Sequence, residues 1–293
     1  MRGKADFLVD TQLWPLHQRL DPHGWLANFD RNELPYAVHL LNSFMYFSST
    51  LLDQLFVSAF RGLSRHVVSA KTRSNRIQEW KRFLNEVVVT FPTGETPSSA
   101  DSGHLFARRS RDLIGIKEAK ILSPDQALCQ LEAGTTNCII FVDDFVGSGV
   151  QFSRTWNRKH PTLGTSFATR SKKAATVYYI PLFCTEFALE RTLAPLIADV
   201  RFLPVHILSS RYSALASRSV FWPESLKKDA PGFIERKSIE LGIPDTGGTL
   251  PEDWRGFAGL GLGIAFEHQI PDASLPLFYT TRSGWCPLWR KTP

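Results

Sequence analysis

Cysteine is scarce in this sequence, with four residues in 293, at positions 129, 138, 184 and 286. No two of them form the C-x-x-C spacing that is typical of zinc sites and dithiol redox centres. The sequence therefore favours isolated, reduced thiols over a disulfide framework or a metal site. Since the first residues also lack the pattern of a secretory signal, we expect a cytoplasmic protein.

A long uninterrupted apolar run is also missing. The most apolar region, 34–60, contains His39, Asn42, Asp53 and Gln54, whereas a membrane-spanning helix needs about 20 predominantly apolar residues. We therefore expect no membrane partner. The sequence also shows no internal repeat and no low-complexity segment.

Acidic residues are outnumbered, 28 against 34 basic ones, which gives a formal net charge of +6 and a sequence pI near 9.2. This balance allows an anionic partner such as a nucleotide, a phosphorylated sugar, a nucleic acid or an acidic protein, and selects none of them. The basic residues concentrate in the tract 61–82, which is either a solvated helix face or a surface for nucleic acid or an acidic partner. This basic tract contains Arg61, Arg65, Lys71, Arg73, Arg76, Lys81 and Arg82.

Three regions follow one another along the chain. Region 1–85 is predicted to be helical, and apolar residues at helical spacing in 36–60 indicate one core-facing helix. Region 86–210 alternates strands with helices, which predicts an α/β core with a parallel sheet. Region 211–293 is irregular and aromatic, and we interpret it as a cap that completes the same domain. Within the core we predict strands at 86–92, 138–142, 175–184 and 200–208, and helices at 104–116, 124–133, 150–159 and 185–198.

The stretch CIIFVDDFVGSGVQ is the most informative motif. A buried strand over 138–142 is predicted to end on Asp143 and Asp144, at the edge where parallel sheets bind ligands. A glycine-rich turn and a helix start follow, and their main-chain amides make an anion site. Carboxylates beside such a site suit sugar hydroxyls or a divalent cation that accompanies pyrophosphate. The alternative is that strand-end carboxylates and a glycine turn occur here without any ligand.

The same stretch resembles the phosphoribosyl-pyrophosphate motif of type I phosphoribosyltransferases, in which a hydrophobic strand ends in two acids before a Thr/Ser/Gly loop. The resemblance implies that Asp143 and Asp144 contact the ribose 2- and 3-hydroxyls. It implies that the 5-phosphate is cradled by Gly147, Ser148, Gly149, Val150 and Gln151. Gly147 and Gln151 stand where that family commonly has threonine, so two hydroxyl contacts are missing.

A narrower resemblance comes from ADSGHLFARRSR, residues 100–111, and from the aromatic segment 266–289. These are similar to a divergent branch of phosphoribosyltransferase-like proteins in bacterial conflict and phage-defence systems, including some retrons. This narrower resemblance implies an effector working beside a reverse transcriptase or sensor, rather than a salvage enzyme. The wider resemblance to type I phosphoribosyltransferases implies Mg²⁺ bound with the ligand and a possible homo-oligomer. It also implies an earlier loop that wraps the pyrophosphate, for which Ser102, Gly103 and Arg108 are the candidates.

Two functions remain open at this level. The first is glycosyl transfer at the anomeric carbon of a ribosyl phosphate. The second is a catalytically inactive module of the same fold that senses a nucleotide, or docks a protein-nucleic-acid partner through the basic tract. His268 could face the acceptor, and the aromatic residues of 278–289 could stack on a base, but packing is the more common role for both.

Overall fold

The fold was analysed in a computed structural model, which describes residues 2–11, 13–15, 19–94, 102–171 and 174–290. The helices are α1 (Arg2–Asp10), α2 (Pro22–Leu26), α3 (Leu34–Ser43), α4 (Ser49–Gly62), α5 (Ser64–Val67), α6 (Arg73–Glu86), α7 (Ser102–Arg109), α8 (Pro124–Glu132), α9 (Val150–Asn157), α10 (Glu224–Lys227) and α11 (Ala230–Glu240). The strands are β1 (Met45–Phe47), β2 (Val88–Thr90), β3 (Cys138–Val146), β4 (Thr176–Thr185), β5 (Arg201–Phe202), β6 (His206–Leu208) and β7 (Ile264–Phe266).

The main sheet has the strand order β2-β3-β4-β5, with β6 also paired to β4. The pairs β2–β3, β3–β4 and β4–β5 are all parallel, so the predicted α/β architecture with a parallel sheet is confirmed. β3 and β4 are apolar along most of their length because both of their faces are covered. On one face Phe152 of α9 stacks on Tyr179 of β4, with ring centroids 4.1 Å apart.

The chain divides into two compact units, one formed by residues 52–207 and the other by 1–51 together with 208–293. The first unit contains the main sheet. The second contains a two-stranded parallel sheet, β1–β7, and an aromatic core in which Trp25 stacks on Phe278. The division into regions 1–85, 86–210 and 211–293 stays a prediction about domains.

The single helix predicted over 36–60 is wrong. α3 ends at Ser43, and the next residues turn extended because β1 pairs with β7, more than 200 residues later in the chain. α4 then begins at Ser49. The helical spacing of apolar residues is present, but a long-range strand pairing overrides it.

Four further predictions need correction in their bounds, their continuity or their regularity. The helix at 104–116 is α7 from Ser102, continued by a π-helical turn, and Gly115 ends it with φ +86°. The helix at 185–198 consists of a helical segment at 186–192 and a short turn at 194–196, which part at Leu193, two residues before Pro195. The strand at 200–208 splits into β5 and β6 around Pro204, which has no N–H to donate. Region 211–293 is more regular than expected, since it contains α11.

The prediction of a capping box at the start of α8 is confirmed. Ser123 accepts from the main-chain N–H of Gln126, whose side chain accepts from the N–H of Ser123. All four cysteines are free. No helix in the described ranges is long and apolar enough to cross a bilayer.

Candidate functional site

The two aspartates lie on the central strand pair of the main sheet. β3 does not end at Val142, as the sequence predicts, but continues through both aspartates to Val146. The strand is longer because Phe145 and Val146 still pair with Phe183 and Cys184 of β4. The aspartates are therefore part of the sheet, next to its carboxyl edge.

The ladder between β3 and β4 is interrupted at this point. Asp143 lies opposite Pro181, which lacks an N–H, and pairing resumes only at Phe145. The N–H of Asp144 donates instead to Oδ1 of Asp143, at 3.0 Å. A proline within a central strand is unusual, and here it marks the position where two polar side chains enter the sheet.

Both carboxyl groups are buried, with Asp143 3% and Asp144 0% exposed. The hydroxyl of Tyr179 donates to Oδ2 of Asp143 at 2.8 Å. Burial, followed by the charge of Asp144, raises the pKa of Asp143 well above its ordinary value, although the Tyr179 hydrogen bond opposes this. Burial and the neighbouring Asp143 also raise the pKa of Tyr179. A buried carboxyl group with such a perturbed pKa, here that of Asp143, is a candidate functional group.

The turn Gly147–Gly149 follows directly and leads into α9. Gly149 precedes α9 with φ +76°, a conformation that favours glycine. A Cβ atom there would lie 3.1 Å from Cγ of Leu193, so the backbone also passes close to its neighbour. The hydroxyl of Thr185, at the end of β4, donates to the carbonyl of Gly147 and accepts from the N–H of Ala188.

The turn presents main-chain donors at the start of α9. Within the described part of the chain, the N–H groups of Gly147, Ser148 and Gly149 donate to no acceptor. The Ser148 hydroxyl accepts from the N–H of Val150 at 3.3 Å, and Gln151 is the second residue of α9. Free N–H groups at a helix start attract anions. The structure therefore brings the five turn residues and the aspartates together at one strand-to-helix connection.

Gly103 lies beside this connection. It is buried near the start of α7, and a Cβ atom there would lie 2.8 Å from Cβ of Phe91 and 3.4 Å from the carbonyl oxygen of Val142. Glycine at this position lets α7 approach the sheet immediately before Asp143. Ser102 is the first residue of α7, and its side chain lies outside the described part of the chain.

Arg108 is not gathered with the aspartates. It is exposed and lines a separate groove of about 430 Å³ together with Thr93, His104 and Arg158. The neighbouring arginines have structural partners: Arg109 pairs with Asp53 at 2.8 Å. Arg111 likewise pairs with Asp112 and Glu118.

Several residues that the sequence did not single out hold this region together. Oγ1 of Thr155, on α9, accepts from the N–H of Thr93, after β2, at 3.0 Å. Arg158 donates to Oγ1 of Thr93 at 2.7 Å and to the carbonyl of Gly94. Tyr179 and Thr185 were missed as well. Pro181 was the available signal, because it predicts an interruption near the middle of β4.

The C-terminal candidates belong to the other unit, 1–51 with 208–293, and are described separately. His268 stacks on Phe266, with centroids 5.7 Å apart. Trp285 and Trp289 are buried, and their indole N–H groups donate to the carbonyls of Leu277 and Phe266. These contacts favour packing as the role of the aromatic residues. No cluster of three or more metal-ligating side chains occurs among the described residues.

One comparison with known proteins identifies a relationship. A family model described as PRTase-CE matches residues 22–291, which is most of the chain. No curated protein and no solved structure matches it.

Proposed function

The chain belongs to the PRTase-CE family, a phosphoribosyltransferase-like family, and on that premise we propose that it binds a ribose 5-phosphate or phosphoribosyl-pyrophosphate ligand. The site would be the connection from β3 to α9. The observation that carries the proposal is the meeting of two buried aspartates with a turn whose N–H groups have no acceptor in the described chain.

Each part of the ligand has a counterpart in this connection. The N–H groups of 147–149, with the start of α9, are suited to the 5-phosphate. Asp143 and Asp144 are suited to the vicinal ribose hydroxyls, which donate hydrogen bonds to carboxylates. Gly103 brings α7 towards the same place, so the first turn of that helix is the candidate contact for a pyrophosphate leaving group.

The reaction we propose is glycosyl transfer at the anomeric carbon. Fixed carboxylates would orient the ribose and favour the positive charge that develops at the ring as the pyrophosphate departs. Mg²⁺ would enter with the pyrophosphate, whose oxygens are its preferred ligands. The described residues gather no set of three protein ligands for it. The acceptor could be a base, water or a protein group.

Ligand entry requires a local rearrangement, because both carboxyl groups are buried. The turn at 147–149 is the candidate moving part, since its glycines allow other backbone conformations. Thr185 holds the turn in its present position through the carbonyl of Gly147. This hydrogen bond would have to break or lengthen if the turn moves away from β4.

Isothermal titration calorimetry tests the proposal. Phosphoribosyl pyrophosphate with Mg²⁺ is titrated into the wild-type protein and into the double variant Asp143→Asn/Asp144→Asn, with ribose 5-phosphate as a second ligand. We expect saturable binding by the wild type and its loss in the double variant. Asp30→Asn, which neutralises an exposed carboxylate elsewhere, is the control and should bind normally.

Two results would contradict the proposal. Wild-type protein that binds neither ligand would mean that the motif serves as scaffold. Equal binding by the wild type and the double variant would remove the aspartates from the site. Circular dichroism of both proteins separates these results from a loss of folding.

A second candidate is a catalytically inactive module that senses a nucleotide or docks a partner. The observations that favour it are the burial of both carboxyl groups and the presence of Gly147 and Gln151 where the type I motif commonly has threonine. Binding of phosphoribosyl pyrophosphate without release of pyrophosphate, for any base or water as acceptor, would support this candidate. Pyrophosphate release that depends on Asp144 would exclude it.

The finer biological role is also a proposal. The sequence resemblance of 100–111 and 266–289 supports an effector in a bacterial defence system, working beside a reverse transcriptase or sensor, and a homo-oligomeric form. Phage resistance of cells that express the whole system should then fall when Asp144 is changed to Asn. Unchanged resistance would argue against this role, and light scattering would test the oligomer.

A further inference from the structure

Helix α6 is unusual because none of its 14 residues is buried. Its first residues, Arg73 to Arg76, are exposed, and so is Ile77, at 46%. Most helices of this length in globular proteins bury an apolar stripe. The exposure of α6 therefore leaves a face with no partner among the described residues.

That face combines cationic and aromatic side chains. Arg73, Arg76, Ile77, Trp80 and Phe83 lie within an arc of about 120°, at 100° per residue, which places them on one side of the helix. The ring of Trp80 stacks on Phe83, with centroids 5.3 Å apart and planes inclined by 25°. Both rings are partly buried, and each keeps some exposed surface. We call the face formed by Arg73, Arg76, Ile77, Trp80 and Phe83 the α6 stripe.

The acidic residues of α6 offset the charge of the stripe only in part, because Glu79 interacts with Arg76 without forming an ion pair in the described structure. Glu79 accepts from the main-chain N–H groups of Ser69 and Ala70, at 2.9 and 3.0 Å. Glu86 lies about 140° around the helix from Arg73 and about 80° from Arg76, at 100° per residue. Within the described residues, neither Arg73 nor Arg76 has a carboxylate within ion-pair distance.

A groove of about 630 Å³ on the preceding helices adds to this charge. Arg61 of α4 and Arg65 of α5 line it, and α5 packs against α6. The acid in the groove, Asp53, is already paired with Arg109. Arg61 and Arg65 are exposed and form no ion pair within the described chain. The groove therefore keeps an uncompensated positive charge.

We propose that the α6 stripe, extended by the groove at Arg61 and Arg65, binds single-stranded nucleic acid. Arginines donate to the phosphates, while the accessible parts of the aromatic rings offer stacking surfaces to unpaired bases. A helix that binds a membrane surface instead places its cations opposite its apolar face; in α6 the two kinds of residue share one face. An acidic protein would explain the arginines but not the partly exposed ring pair beside them.

Fluorescence anisotropy of a labelled deoxythymidine oligomer tests the proposal. The full-length protein is titrated at several salt concentrations, and we expect the affinity to fall as salt rises. Arg76→Glu should weaken binding roughly three- to tenfold, as expected for the loss of one charge-assisted contact. The slope of log K against log salt should shrink by about 0.7 for each phosphate contact removed.

Arg82→Glu is the matched control, because it makes the same charge change on the same helix. Arg82 is exposed and lies about 120° from Arg76 around α6, at 100° per residue. It should leave affinity much closer to that of the wild type. Trp80→Leu, which keeps an apolar side chain, should weaken binding without changing the salt slope. Arg61→Glu should act like Arg76→Glu.

Several results would overturn the inference: no binding, equal losses in Arg76→Glu and Arg82→Glu, tighter binding of duplex than of single strand, or preferential binding of anionic phospholipid vesicles. The double variant Asp143→Asn/Asp144→Asn should bind the oligomer as the wild type does. The inference therefore stands or falls separately from the proposed ribosyl site.

Discussion

Changing Asp143 to Asn should stabilise the folded protein at neutral pH while removing the proposed ligand binding. Asparagine has nearly the same shape, and its carbonyl oxygen can still accept from the N–H of Asp144. It carries no charge, so the cost of keeping an ionisable carboxyl beside Asp144 in a buried position disappears.

The direction of this change in stability follows from the raised pKa of Asp143. A group whose pKa is higher in the folded state stabilises the fold below the unfolded pKa, and this stability is lost as pH rises through the folded pKa. Each unit of difference between the folded and unfolded pKa values changes the free energy of unfolding by about 1.4 kcal/mol. The hydrogen bonds from Tyr179 and from the N–H of Asp144 offset part of the cost of burying the charged carboxylate. We therefore expect the free energy of unfolding of the variant to be higher by about 1–3 kcal/mol.

Thermal unfolding between pH 4 and pH 8 measures the effect. For a unit of this size, 1 kcal/mol shifts the melting temperature by about 2–4 °C. The difference between Asp143→Asn and wild type should grow with pH and vanish near the ordinary aspartate pKa of 3.8. A lower melting temperature for Asp143→Asn at neutral pH would refute the reasoning, because the hydrogen bonds to the carboxylate would then outweigh its burial.

The turn before α9 gives two further predictions. Gly149→Ala should lower the free energy of unfolding by about 1–3 kcal/mol, measured in urea, because of its positive φ and the contact with Leu193. Gly164→Ala, with φ +66° but open space around it, should lower it less. Equal losses in the two variants would exclude the contact as a cause. Thr185→Val should lower the free energy of unfolding by about 1–3 kcal/mol and weaken phosphoribosyl-pyrophosphate binding, because the Gly147 carbonyl loses its hydrogen-bond donor. Thr185→Ser should restore both properties, and normal binding by the valine variant would show that this hydrogen bond does not position the turn.

The sequence determined the features that depend on neighbouring residues. The apolar runs at 138–142 and 175–184 predicted buried parallel strands, and the capping box at Ser123 fixed the start of α8. The glycine turn likewise predicted a helix start near Val150. Such patterns are readable because backbone conformation, capping and side-chain alternation are set within a few residues.

Only the tertiary structure decided which distant residues meet. The pairing of β1 with β7 interrupts a helical pattern that the sequence presents as continuous. The pairing of β3 with β4 extends past the aspartates, brings the Tyr179 hydroxyl to Asp143 and places Thr185 against the turn. These contacts join residues 36 to more than 200 positions apart, and their free energy comes from burial and pairing that no local pattern contains.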